Sequence, residues 1–140
     1  MIKGDFVTIS TGQFGIKTKG ELDIIDITAN VEDAVESSGI KEGIALVHAG
    51  HTTGILVLNE DEPNLLEDLR RFLRQLIPKG GGYLHRENGY AHLRSMLMQP
   101  SRIVPTHNGK LGLVTWQSIY WVEADNASRD RRIEVIMLGK

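Results

Sequence analysis

Apolar residues along this 140-residue chain recur with two different periods, one of strands and one of helices. Short apolar runs bounded by glycine, asparagine or charged residues predict strands at Gly4 to Ser10, Glu21 to Ile27, Ile44 to Val47 and Gly54 to Leu58. Further runs follow at Arg102 to Thr106, at Leu111 to Val114 continuing through Trp116 to Glu123, and at Arg132 to Leu138. A glycine-containing turn from Thr11 to Gly20 is expected to join the first two strands. Successive apolar positions in Gly54 to Leu58 are the pattern of a strand covered on both faces. Asn108-Gly109 between apolar runs predicts a tight hairpin.

The helical period appears three times. A helix is expected after Thr28 or Asn30 as N-cap, with Glu32 and Asp33 in its first turn and Gly39 ending it. Pro63 opens a second helix with the stripe Leu65, Leu66, Leu69, Phe72, Leu73, Leu76 and Ile77, and Glu67 with Arg71 as a solvent-side pair. Gly80-Gly81-Gly82 forces a loop, and a short helix from Ala91 to Met98 stops at Pro100. Strands before, between and after the helices predict one α+β domain over residues 1–140, with mostly antiparallel sheet layers and two to three helices.

Composition narrows the chemistry. The chain has no cysteine, which excludes disulfides, thiolate metal ligands and thiol catalysis. A net charge of −2 gives no global basic field for nucleic acid. Met1 leads into Ile-Lys-Gly-Asp-Phe without the pattern of a signal peptide, and no apolar run has membrane-spanning length, so a cytoplasmic protein is expected.

Candidate chemistry rests on the histidines. His51, His85 and His92 fall on a strand end, a loop and a helix start, from which three neutral imidazoles can converge on a metal or a substrate. Their local spacing matches no metal motif, and scattered core or surface histidines fit equally. Glu60 reads as a ligand or as a strand-end polar group, and Asp68 as a solvated carboxylate or an acceptor that orients an imidazole. His48 reads as structural. Ser128, Arg129, Arg131 and Arg132 form the one dense basic cluster, suited to phosphate or to a solvated turn around Asp130. Trp116, Tyr120 and Trp121 read as core and interface packing.

The order of motifs resembles the YjbQ-like family. His51-Thr52-Thr53, Asn59-Glu60, Asp68, Tyr83-x-His85 and His92-Leu93-Arg94-Ser95 carry the resemblance. So do Ser101 with Pro105, Asn108-Gly109, Thr115-Trp116-Gln117 and the closing arginines with Gly139. The family is described as secondary thiamine-phosphate synthase enzymes, with a weak activity. The resemblance implies a homotrimer, a small phosphorylated ligand, and a divalent metal (zinc or magnesium) at His51, His85 and His92. It places Glu60 and Asp68 in the catalytic group and phosphate at Ser128, Arg129, Arg131 and Arg132. Arg86, Gln99 and Val114 depart from the family pattern. The alternatives are a non-catalytic trimer that binds metal or phosphate, and a metal-dependent hydrolase.

Overall fold

The computed structural model describes residues 6–140, so the Gly4 and Asp5 end of the first expected strand lies outside them. The strands are β1 (Thr8–Lys17), β2 (Ile24–Asp26), β3 (Gly43–His48), β4 (Gly54–Asn59), β5 (Ser101–His107), β6 (Lys110–Leu111), β7 (Ser118–Glu123) and β8 (Asp130–Gly139). The helices are α1 (Thr28–Ser38), α2 (Pro63–Leu76) and α3 (Gly89–Ser95). They build an α+β fold with two antiparallel sheets, one ordered β1-β8-β3-β5-β6 and the other β2-β7-β4.

The main core lies where the inner faces of the sheets meet α1. Val31 and Val35 of α1 pack with Ala45, Val47, Leu56, Val104, Ile119, Trp121, Ile133, Val135 and Met137. A second apolar layer joins Ile55, Val57, Tyr120 and Val122 to Leu73 of α2. Strand β4 therefore sends Leu56 one way and Ile55 and Val57 the other, which is why its apolar positions are consecutive.

Four local expectations are corrected. The turn expected from Thr11 to Gly20 is strand as far as Lys17, because β8 pairs with all ten residues from Thr8 to Lys17. That partner lies more than a hundred residues away in sequence, beyond the reach of local glycine signals. The strand expected over Glu21 to Ile27 shrinks to three residues, since Leu22 adopts φ 59°, outside strand geometry. Glu32 and Asp33 fall past the first turn of α1, whose N-cap is Ile27. Glu67 pairs with Arg70 rather than Arg71, and Arg70 Nε also donates to the Leu22 carbonyl.

Other signals held. Glu62 accepts from the backbone N–H groups of Asn64 and Leu65 at the start of α2, with Pro63 in the first turn. Gly39 ends α1 at φ 71°. Asn108 and Gly109 both have positive φ, 52° and 75°, the paired left-handed geometry of a two-residue hairpin loop.

Candidate functional site

Strand β7 ends in two buried carboxylates, Glu123 and, just beyond it, Asp125, with Ala124 between them pointing into a small apolar cluster. Two arginines from the start of β8 meet them. Arg131 donates through Nε to Glu123 Oε2 at 2.8 Å and through Nη2 to Glu123 Oε1 and to Thr53 Oγ1, the last at 2.8 Å. Its guanidinium lies 5.4 Å from the centre of the Trp121 ring, and Trp121 Nε1 donates to Glu123 at 3.4 Å. Arg129 Nη2 donates to Asp125 Oδ2 at 2.8 Å, with about half of its side chain exposed.

Asp125 extends the network towards the histidines. Asn88 Nδ2 donates to Asp125 Oδ2 at 3.4 Å, and Asn88 Oδ1 lies 3.0 Å from His85 Nε2. His85 and His92 meet edge to face, with ring centres 4.9 Å apart and planes at 81°. A recess of about 490 Å³ beside them is lined by Tyr83, Leu84, Gly89, Leu93 and Met96. Burial raises the Asp125 carboxyl, but the Arg129 hydrogen bond, the Asn126 backbone N–H, the Arg129 charge and Asn88 together hold it below the ordinary range.

His51 stands on the Trp121 side of the network. Its ring meets Trp121 edge to face at 5.6 Å, and its Nε2 lies 2.8 Å from the Arg132 carbonyl and 3.1 Å from the Arg132 amide. His51 therefore contacts the Glu123 end, while His85 and His92 pair at the Asp125 end. Among the described residues no group of three or more His, Asp or Glu side chains is placed to hold a metal ion. His85 and His92 can offer neighbouring nitrogen donors, but the third donor of a metal shell is missing from this set.

The remaining expected residues separate. Glu60 follows the end of β4 opposite to Thr53, roughly 20 Å away at the usual ~3.3 Å rise per strand residue. Asp68 is exposed on α2 and takes no part in these contacts. Arg131 is corrected as a phosphate ligand: it is 7% exposed and its guanidinium is turned inward onto Glu123 and Thr53. Arg129 and Arg132 stay exposed, and Ser128 and Arg129 line a recess of about 240 Å³ with Lys17, Thr18 and Asp130. Thr18 Oγ1 accepts from the Arg129 amide at 2.9 Å. His48 is structural as expected, with Nδ1 2.6 Å from Ser101 Oγ across β3 and β5. Tyr120 and Trp121 are core, and only Trp116 of the three aromatics is exposed.

Glu123, Asp125, Asn88, Lys17 and Thr18 escaped the sequence reading. One signal was available: Glu123-x-Asp125 and Arg129-x-Arg131 carry opposite charges at the same two-residue spacing on either side of the short connection between β7 and β8.

Fold and site together define a small α+β protein with a histidine, carboxylate and arginine network at one end of its sheets. The chain belongs to the family described as UPF0047 protein YjbQ-like, whose model matches residues 12–140. It is 39% identical over 140 residues to a UPF0047 protein of Methanothermobacter thermautotrophicus, covering 98% of this chain and 97% of that one. A UPF0047 protein of Archaeoglobus fulgidus is 46% identical over 123 residues, covering 86% and 94%. A YbjQ-like protein of unknown function from Sulfolobus solfataricus P2 has the same fold, with TM-score 0.92, 33% identity and coverage of 96% and 100%.

Proposed function

We propose that the protein is an acid–base enzyme acting on a small phosphorylated molecule, with the phosphate at Arg129 and the reacting atoms beside His85 and His92. The observation that carries this reading is the hydrogen-bonded line from His85 through Asn88 and Asp125 to the exposed Arg129. Imidazole is the side chain suited to proton transfer near neutral pH, and the edge-to-face contact keeps the second ring beside the first in the same recess. The recess of Lys17, Thr18, Ser128, Arg129 and Asp130 supplies two cations and two hydroxyls beside one carboxylate, a donor set that suits a phosphate once Asp130 is turned to solvent.

Thiamine-phosphate formation is the first reaction to test, on the strength of the family resemblance. It would join a pyrimidine diphosphate to a thiazole phosphate with loss of pyrophosphate. Without an acidic magnesium cluster among the described residues, Arg129 and a protonated imidazole would have to stabilise the departing diphosphate. If zinc binds, His85 and His92 are its nearest paired donors, and a further ligand must come from elsewhere.

Self-association fits the same reading. The outer face of the five-stranded sheet aligns Ile9, Leu138, Ile44 and Pro105 in one cross-strand row and Ile136, Leu46 and Ile103 in the next. No described helix covers this face, and Ile9 and Ile103 are more than 60% exposed. An apolar sheet face of this kind supports the homotrimer that the resemblance implies.

Calorimetry with thiamine phosphate and inorganic phosphate, with and without zinc, tests the binding half. Wild type should bind, and Arg129→Ala should bind at least tenfold more weakly. Product formation lost in a folded His92→Ala variant tests the catalytic half. Equal affinity in wild type and Arg129→Ala, or unchanged turnover in His92→Ala, contradicts the reading.

A further inference from the structure

Helix α3 has seven residues and no side-chain hydrogen bond at its N-cap, Asn88. A helix this short does not hold its own shape, so its placement must come from what it packs against. Four side chains tie it down. Ser95 Oγ donates to the Gly54 carbonyl of β4 at 2.8 Å. Tyr90 and the neighbouring Ala91 are buried with Ala124. Arg94 is completely buried, with Nε donating to the Ile77 carbonyl just beyond α2 at 3.0 Å and Nη1 to Glu21 Oε1 at 2.8 Å.

A fully buried guanidinium is an expensive way to fill apolar space, and an aliphatic side chain of similar volume would cost less. Among the described residues Arg94 also has no hydrogen-bond partner for Nη2. Its directional bonds do something an aliphatic residue cannot. They fix α3 against the end of α2 and against the turn that precedes β2, while the guanidinium stacks on Tyr90 of the same helix at 5.1 Å. Glu21 is matched to this task. Burial raises its carboxyl, but the Arg94 hydrogen bond and charge, aided by Lys79, outweigh that and keep it ionised below the ordinary range.

His92 lies two residues before Arg94, hence on the other side of the helix, and meets His85 there. His85 is itself joined to the start of the helix, since its carbonyl accepts from Gly89 N and its ring contacts Asn88. The loop that carries His85 is also held to the end of α2, where Tyr83 Oη donates to the Pro78 carbonyl at 2.7 Å, so a rotation of α3 against the end of α2 would separate the two rings. We propose that Arg94, held by Glu21 and the Ile77 carbonyl, is a positioning residue that sets the edge-to-face contact of His85 and His92. It touches neither ring and acts through the orientation of the helix. The proposal rests on the reading of the histidine pair as the reacting group.

The test is spectroscopic and independent of any activity. In wild-type protein, NMR should show a nuclear Overhauser contact between the His85 and His92 ring protons and a ring-current shift on the edge-on imidazole. Arg94→Met should keep the circular dichroism spectrum and lose both signals. Arg94→Lys, which keeps the charge near Glu21 but cannot reach both partners, should stay folded by circular dichroism and show a weakened contact. Should Arg94→Met fail to fold, Arg94→Lys and Glu21→Gln decide. Wild-type ring signals in the folded variants overturn the proposal. If wild type shows the contact but neither phosphate binding nor turnover, the enzymatic reading fails while Arg94 keeps its positioning role.

Discussion

Arg131 turns its guanidinium inward onto Glu123, and the two form a buried ion pair flanked by Thr53 and Trp121. In sequence Arg131 is one of three clustered arginines that look equally suited to an external phosphate. The pairing divides them into a structural member and two exposed ones. It also ties β8 to the end of β7, where the two strands belong to different sheets.

Breaking that pair from one side should be costly. Arg131→Ala leaves Glu123 charged and buried, and removing one partner of such a pair typically costs about 3–5 kcal/mol. Urea unfolding should show a loss in that range. A loss below about 1 kcal/mol would mean that Glu123 finds water or another partner.

The Asp125 carboxyl makes stability depend on acid. Its native pKa is depressed, so its contribution is fully present above the unfolded value of ~3.9 and disappears as pH falls through the native one. Arg129→Ala removes the hydrogen bond and charge that oppose burial. The carboxyl should then titrate at higher pH in carbon-detected NMR, and acid unfolding should begin at higher pH. An unchanged Asp125 titration would show that Arg129 does not control it.

Gly54 opens β4 against the Trp121 indole, and a Cβ there would fall inside the ring. Gly54→Ala must displace Trp121, with which His51 is in edge-to-face contact. Overpacking of a closed core costs about 1–3 kcal/mol and here should reach the upper end. Thermal melting measures the loss, and the His51 ring resonances should move with it. A wild-type melting temperature would show that the indole can shift freely.

The uncovered apolar sheet face predicts assembly. Ile103→Lys puts a charge on that face, at the β5 end of its apolar row, and sedimentation should show wild type larger than a monomer and the variant dissociated. The fold of the variant should persist, since Ile103 lies outside the buried core. Wild type that sediments as a monomer at micromolar concentration would remove the trimer from the account.

The sequence alone determined the α+β class, helix α2, strands β3, β4, β5 and β8, the hairpin at Asn108-Gly109 and the resemblance to the family. These are readable because periodicity, capping and turn chemistry act within a few residues. The strand expected from Leu111 through Trp116, by contrast, is interrupted between β6 and β7, and the helix expected over Ala91 to Met98 is Gly89–Ser95. His85, His92 and Arg129, which the structure joins through Asn88 and Asp125, were singled out in the sequence by their types and motif order. What only the tertiary structure decided depends on partners distant in the chain. The ten-residue length of β1 required β8 as its ladder. The inward turn of Arg131 required Glu123 and Thr53, and the link from Arg129 to His85 required Asp125 and Asn88. The separation of Glu60 from His51 required the length of β4 between them. Charge and hydrogen bonding act over a few ångströms of space whatever the separation in sequence, so local patterns cannot reveal which carboxylate an arginine will meet.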